Sequence, residues 1–203
     1  MEIMRKAIYD ISQELFSCNV FPGDDRPSFR ICNDMSKGDI YNLSAISLCS
    51  HNGTHVDAPR HFIRDGKTID CIGLEKFAGP CYVFSREGDI SGEDAEEMLG
   101  IAEKCGAADR ILIKGKATVT EEAAEVFASR PISLIGNESQ TVGPENAPMK
   151  VHLILLEKEV VLLEGIRLGE VGEGRYFLNA APINLGGLEG SPCRAWLADG
   201  NDI

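Results

Sequence analysis

Short runs of apolar residues broken by polar turns fill the first 85 residues, and longer stripes at helical spacing follow them. Ala7 to Ile11, Phe29 to Cys32 and Tyr41 to Leu48 predict strands, the last running straight on towards His51. Phe21-Pro22-Gly23-Asp24-Asp25-Arg26-Pro27 is turn chemistry. Cys81 to Phe84 predicts a short strand bounded by Pro80. Ser91 to Cys105 predicts a helix: Asp94 stands three residues after Ser91, Met98, Leu99, Ala102 and Cys105 make an apolar stripe, and Gly106 stops it. Strands at Arg110 to Ile113, Ile132 to Ile135 and Val160 to Leu163 alternate with helices from Thr120 to about Arg130 and from Ala147 to Glu157. Gly174 to Ala198 alternates apolar residues with Gly and Pro turns, as strands do. This order predicts an α/β protein with a mixed sheet, partly barrel-like, and flanking helices.

Composition narrows the class without naming a function. A length of 203 residues and no linker-like stretch predict one domain over residues 1–203. The apolar runs are too short to cross a bilayer, and Met1 to Lys6 lead into no secretory apolar segment. A net charge of −12, from 20 basic and 32 acidic side chains, disfavours nucleic acid and an anionic membrane surface. Seven widely spaced cysteines with no Cys-x-x-Cys pair argue against a disulfide framework or a cysteine zinc site. Free thiols in a reducing cytoplasm fit that pattern.

The chemistry concentrates in one place. His51-Asn52-Gly53-Thr54-His55-Val56-Asp57-Ala58-Pro59-Arg60-His61-Phe62 holds three of the four histidines in the chain. Imidazole and carboxylate bind borderline divalent cations such as zinc and manganese. Gly53, Thr54 and Pro59 make a helix a poor local choice, so the segment is expected to be extended. On a strand His51, His55 and Asp57 share a face. A straight strand would hold positions 51 and 55 roughly 13 Å apart, too far for one ion. The chain must bend, and Gly53 is where it can.

A catalytic zinc keeps one position for water beside three protein ligands. His51, His55 and Asp57 fill that quota and leave His61 as a general acid–base, for which an imidazole pKa of about 6.5 is suited. His61 as a fourth ligand is the alternative. His152, alone on its helix, is by itself no more than a core or surface histidine. Glu164 ends an apolar strand, an odd place for a carboxylate. If these two converge on the cluster they would hold a second cation, with Asp57 bridging. Cys49 matches His51 in strand parity, but a buried strand cysteine is its ordinary reading.

The His-x-Gly-Thr-His-x-Asp-x-Pro-x-His-Phe pattern from His51 to Phe62 resembles the core motif of the metal-dependent cyclase family that contains bacterial kynurenine formamidase and isatin hydrolase. The flanks match too: Asp10-Ile11-Ser12, Phe21-Pro22-Gly23-Asp24, Leu74-Glu75, Gly79-Pro80, Leu163-Glu164 and Ser191-Pro192-Cys193-Arg194-Ala195. The resemblance implies a swivelling β/β/α fold and a homodimer or larger homo-oligomer. It implies His51, His55 and Asp57 as metal ligands, His61 as catalytic base or proton shuttle, and His152 with Glu164 completing a second site in two-zinc members. Other members use one manganese, so one or two ions, zinc or manganese, are expected per chain. One departure stands out: where the family continues Asp-x-x-Ser after Ile135-Gly136, this chain has Asn137-Glu138-Ser139. That segment is expected to border a pocket, making Ser139, with Phe21 and Phe62, a candidate substrate contact. Phe29 is a further aromatic candidate.

The leading expectation is a metal-dependent hydrolase of amide bonds, in a formamide or cyclic amide such as an N-formylkynurenine-like aryl formamide. A bound cation would bring the pKa of water to about 7, and His61 would relay the proton. The rivals are a non-hydrolytic metal-dependent lyase or cyclase and a metal-dependent binding protein without turnover.

Overall fold

The computed structural model describes residues 7–199. Strands β1 (Ile8–Asp10), β2 (Ser28–Asn33), β3 (Leu43–Ser47) and β4 (His55–Asp57) come first, then β5 (Ala78–Ser85) and β6 (Gly88–Ile90). The middle alternates α1 (Gly92–Lys104), β7 (Arg110–Lys114), β8 (Ala117–Val119), α2 (Glu121–Ala128), β9 (Leu134–Asn137), α3 (Met149–Leu156) and β10 (Val161–Glu164). Strands β11 (Gly174–Asn179), β12 (Gly190–Pro192) and β13 (Trp196–Ala198) close the chain.

Nine strands form one mixed sheet, curled into a half-barrel, in the order β1-β13-β11-β5-β7-β9-β10-β4-β12. The four central strands, β5, β7, β9 and β10, are parallel, as the intervening helices require. Antiparallel strands extend both sides. This is the α/β architecture with a mixed, partly barrel-like sheet that the residue pattern predicts.

Local signals explain the helices. Ser91 and Asp94 form a reciprocal capping box on α1, and Gly106, at φ +62°, follows its last turn. The Thr120 side chain accepts the Ala123 N–H and caps α2. Helix α3 starts two residues later than its pattern suggests, with Pro148 at its N-cap. Strand β5 runs through Pro80, which was expected to bound it. Pro80 is paired with β11 alone, because β7 joins only from Tyr82 onward.

Alternation sorts the core into two layers. Ile111, Ile113, Ile135 and Leu162 pack under the three helices, while Leu112, Leu134, Val161 and Leu163 face into the curl with Val56 and Leu197. The sheet face that meets α3 therefore carries Leu162, and with it Glu164.

Strands β2 and β3 form a separate two-stranded ribbon, exposed on both faces except at Asn33. Phe29 and Ile46 sit opposite each other at 56% and 58% exposure. Strand β3 stops at Ser47, so the run expected to continue into His51 is instead a turn. Cys49 lies in that turn, half-buried and off any strand. Among the described residues no helix is long and apolar enough to cross a membrane.

Candidate metal centre

Register assembles the site. Strand β10 pairs with β4 so that Glu164 lies opposite His55 and Leu162 opposite Asp57. Directly opposed residues share a face, so His55, Asp57 and Glu164 all point towards the α3 side of the sheet, while Val56 enters the other core layer. Helix α3 supplies His152 from above.

His51 arrives by a turn. Asn52, fully buried, accepts the Cys49 N–H and donates to the Asp25 carbonyl, and Gly53 takes φ +65°. The bend brings the His51 and His55 rings to 5.1 Å. His61 closes a short turn from Pro59, with its ring centroid 4.0 Å from that of His51.

Asp57 is the hub. Its Oδ1 is 2.8 Å from His51 Nδ1 and 3.6 Å from His55 Nε2, and its Oδ2 is 3.6 Å from His152 Nε2 and 4.0 Å from His61 Nε2. Glu164 stands beside it, with Oε1 3.2 Å from His152 Nε2 and Oε2 3.4 Å from His55 Nε2. Two buried carboxylates share four imidazoles. Asp57 Oδ2 is buried and has no hydrogen-bond partner among the described residues. A buried anionic oxygen so placed is the expected seat of a cation, and the donor set suits zinc or manganese. Among the described residues two groups bring ligand atoms close enough for one ion each: His51, Asp57 and His61, and His55, Asp57 and Glu164.

Backbone carbonyls set two of the rings. His55 Nδ1 lies 3.0 Å from the Gly53 carbonyl and His152 Nδ1 lies 2.9 Å from the Pro148 carbonyl. A carbonyl only accepts, so both Nδ1 atoms carry a proton, and it is the Nε2 atoms that face the carboxylates and would be offered to a cation.

The electrostatics follow from this packing. Burial would raise the Asp57 pKa, but His51 and the other imidazoles outweigh it and hold the carboxyl well below its usual range. Burial and Asp57 push Glu164 up, and hydrogen bonds from His152 and His55 bring it below its ordinary value. Burial opposes charge on His51, yet the Asp57 carboxylate raises it to about 9. The same contest, with Glu164 as the partner, places His152 at about 8. For His61 burial wins over Asp57, with His51 and His152 adding repulsion, so its pKa is lowered and the ring is neutral at pH 7.

The cluster opens into a cavity of about 200 Å³. Phe21, Phe62 and Pro148 make its apolar wall, and Asp24, Gln140 and Thr141 join the histidines around it. Phe21 and Phe62 thus line the cavity beside the cluster. Ser139 does not: it lines a separate cleft with Glu87, Lys116 and Arg167. Phe29 packs on Phe16 in the exposed ribbon, with ring centroids 4.9 Å apart.

Residues that local pattern did not reveal hold the loop in place. Gln13 donates to Gln140 and to the Gly165 carbonyl, and Gln140 donates to the Gly53 carbonyl at 3.0 Å. Glu189 lies against His51. Each partner is distant in sequence, so no spacing marks them.

The sequence profile of the Putative cyclase family matches residues 9–144, which include His51, His55, Asp57 and His61 but not His152 or Glu164. The chain belongs to that family. A kynurenine formamidase of Delftia acidovorans is 33% identical over 207 residues, covering 96% of this chain and 98% of its own. A solved structure described as a potential metal-dependent hydrolase with cyclase activity superposes at TM-score 0.81 with 26% identity, covering 98% of this chain and all of that one. Isatin hydrolase A from Labrenzia aggregata, solved with benzyl benzoate, shares the fold at TM-score 0.81 and 21% identity, over 95% of this chain and 93% of its own.

Proposed function

We propose that this protein is a metal-dependent hydrolase of non-peptide amide bonds, acting on an aryl formamide or a cyclic amide. The observation that carries it is Asp57, a buried carboxylate with an oxygen unpartnered among the described residues, common to one ligand group with His51 and the neutral His61 and another with His55 and Glu164. Family membership and the formamidase relative support the reaction class.

His51, His55 and Asp57 would hold one divalent cation, zinc or manganese. His152 and Glu164, with Asp57 shared, would hold a second. Bound there, a cation supplies Lewis acidity: it acidifies water and polarises a carbonyl. His61 accepts the proton of the attacking water at Nε2, the ring nitrogen that faces the cluster. It then returns that proton to the leaving nitrogen, so the amine departs neutral. Phe21, Phe62 and Pro148 bind the apolar part of the substrate and keep bulk water from it.

Protein purified without added ions, assayed for metal per chain and for turnover of formanilides, lactams and esters, tests this reading. Metal with amide cleavage supports it; metal-replete protein inert on all of them overturns it. Oxygen from labelled water in the product separates hydrolysis from a lyase or cyclase reaction. Two cations per chain support His152 and Glu164 as ligands, and one demotes them.

The reading includes a homodimer or larger homo-oligomer in a reducing cytoplasm. The ribbon of β2 and β3 supports the first part, since an isolated two-stranded ribbon with this much exposed apolar surface is barely stable alone. Light scattering measures the state. Exposed Cys32, Cys71 and Cys105, all free, suit the second.

A further inference from the structure

His51 differs from the other two histidines that face Asp57 from buried positions. His55 and His152 turn Nδ1 to a backbone carbonyl and Nε2 to the carboxylates. His51 is reversed: Nδ1, not Nε2, faces Asp57, lying 2.8 Å from its Oδ1. Among the described residues His51 Nε2, a buried atom, has no hydrogen-bond partner. The group facing it is the Glu189 carboxylate, with Oε1 at 3.4 Å.

Glu189 is built into this position. Its carbonyl accepts the Ala58 N–H at 2.9 Å, which continues the pairing of β12 with β4. Its Oε1 also accepts the Ser50 hydroxyl, next to His51 in the chain. Gly190 lets the ring seat: a Cβ there would stand 2.7 Å from His51 Cε1.

We propose that Glu189 is the positioning residue of His51, its carboxylate taking the Nε2–H so that Nδ1 presents a lone pair to the cation, with Ser50 orienting that carboxylate. This rests on the metal-dependent reading above. It does for His51 what the Gly53 and Pro148 carbonyls do for His55 and His152. A carboxylate partner also makes the ring a stronger donor than a carbonyl does. Closing 3.4 Å to a hydrogen bond takes a small rotation of a half-buried side chain.

The test is cobalt(II) titration of the metal-stripped full-length protein, following its visible absorption and its affinity by chelator competition. Glu189→Ala is expected to weaken cobalt binding 10–100-fold and to change the absorption, because a ligand loses its orientation. Glu189→Gln, which keeps an acceptor oxygen, should recover most of the affinity, and Ser50→Ala should fall between it and the wild type. If the wild type binds no cobalt, the metal reading itself fails. If the wild type binds and Glu189→Ala binds as tightly with an unchanged spectrum, only the role of Glu189 fails. Should Glu189→Ala not fold, wild-type affinity and spectrum in both Glu189→Gln and Ser50→Ala would overturn it. A metal-free Glu189→Ala that melts with the wild type yet binds weakly separates positioning from a general structural defect.

Discussion

His55 and Gly53 face each other across a single residue: the ring Nδ1 lies 3.0 Å from the Gly53 carbonyl, and Nε2 faces Asp57 and Glu164. The contact exists because Gly53 adopts φ +65°, which turns its carbonyl back towards the ring. Gln140 donates to the same oxygen at 3.0 Å, so the carbonyl is held from two sides. A Cβ at position 53 would be strained in φ and would stand 3.0 Å from Cys18 Cβ. Gly53→Ala is therefore expected to cost about 1–2 kcal/mol of stability from the backbone alone. It should also lower metal content per chain, measured by denaturant unfolding and elemental analysis.

His61 and His55 should separate by role. His61 is the most accessible of the four imidazoles and contacts Asp57 only at 4.0 Å. His61→Ala is expected to keep its cation and lose roughly 10²–10⁴ in kcat. His55→Ala is expected to lose the cation. Metal content and turnover of the two variants check this. Loss of metal in His61→Ala would make His61 a ligand, a role its grouping with His51 and Asp57 allows.

Removing the cation should soften the fold. Asp57 and Glu164 are buried side by side, and repulsion between them is relieved by positive charge. At a free cation concentration one hundred times the dissociation constant, binding adds about 2.7 kcal/mol. Chelator-treated protein should melt roughly 5–10 °C lower and recover on adding zinc or manganese. Calorimetry with and without the ion reads this directly.

The cysteines should divide by burial. Burial pushes the Cys81 thiol up to about 12, more than nearby Arg110 can offset. At pH 8 it is protonated and enclosed, so it should resist iodoacetamide until the protein unfolds. Cys32, Cys71 and Cys105 are exposed and should alkylate in the native state. Peptide mass spectrometry locates the label.

The amino-acid sequence alone determined the elements that carry this site and much of its chemistry. The capping pair Ser91 and Asp94, the apolar strands and the glycine at position 53 act over a few residues, so their outcome is readable locally. Strand parity likewise placed His55 and Asp57 on one face. Local pattern could not decide which far-off groups meet that face. Glu164 lies opposite His55 because Val56 and Leu163 pack in the same core layer and lock the register of two strands about a hundred residues apart. His152 descends from a helix laid on the sheet, Ser139 falls into a different cleft, and Glu189 reaches His51 from the rung between β4 and β12. The tertiary structure decided those meetings, because they depend on how the curled sheet and its helices fill space together, and no periodicity along the chain records that.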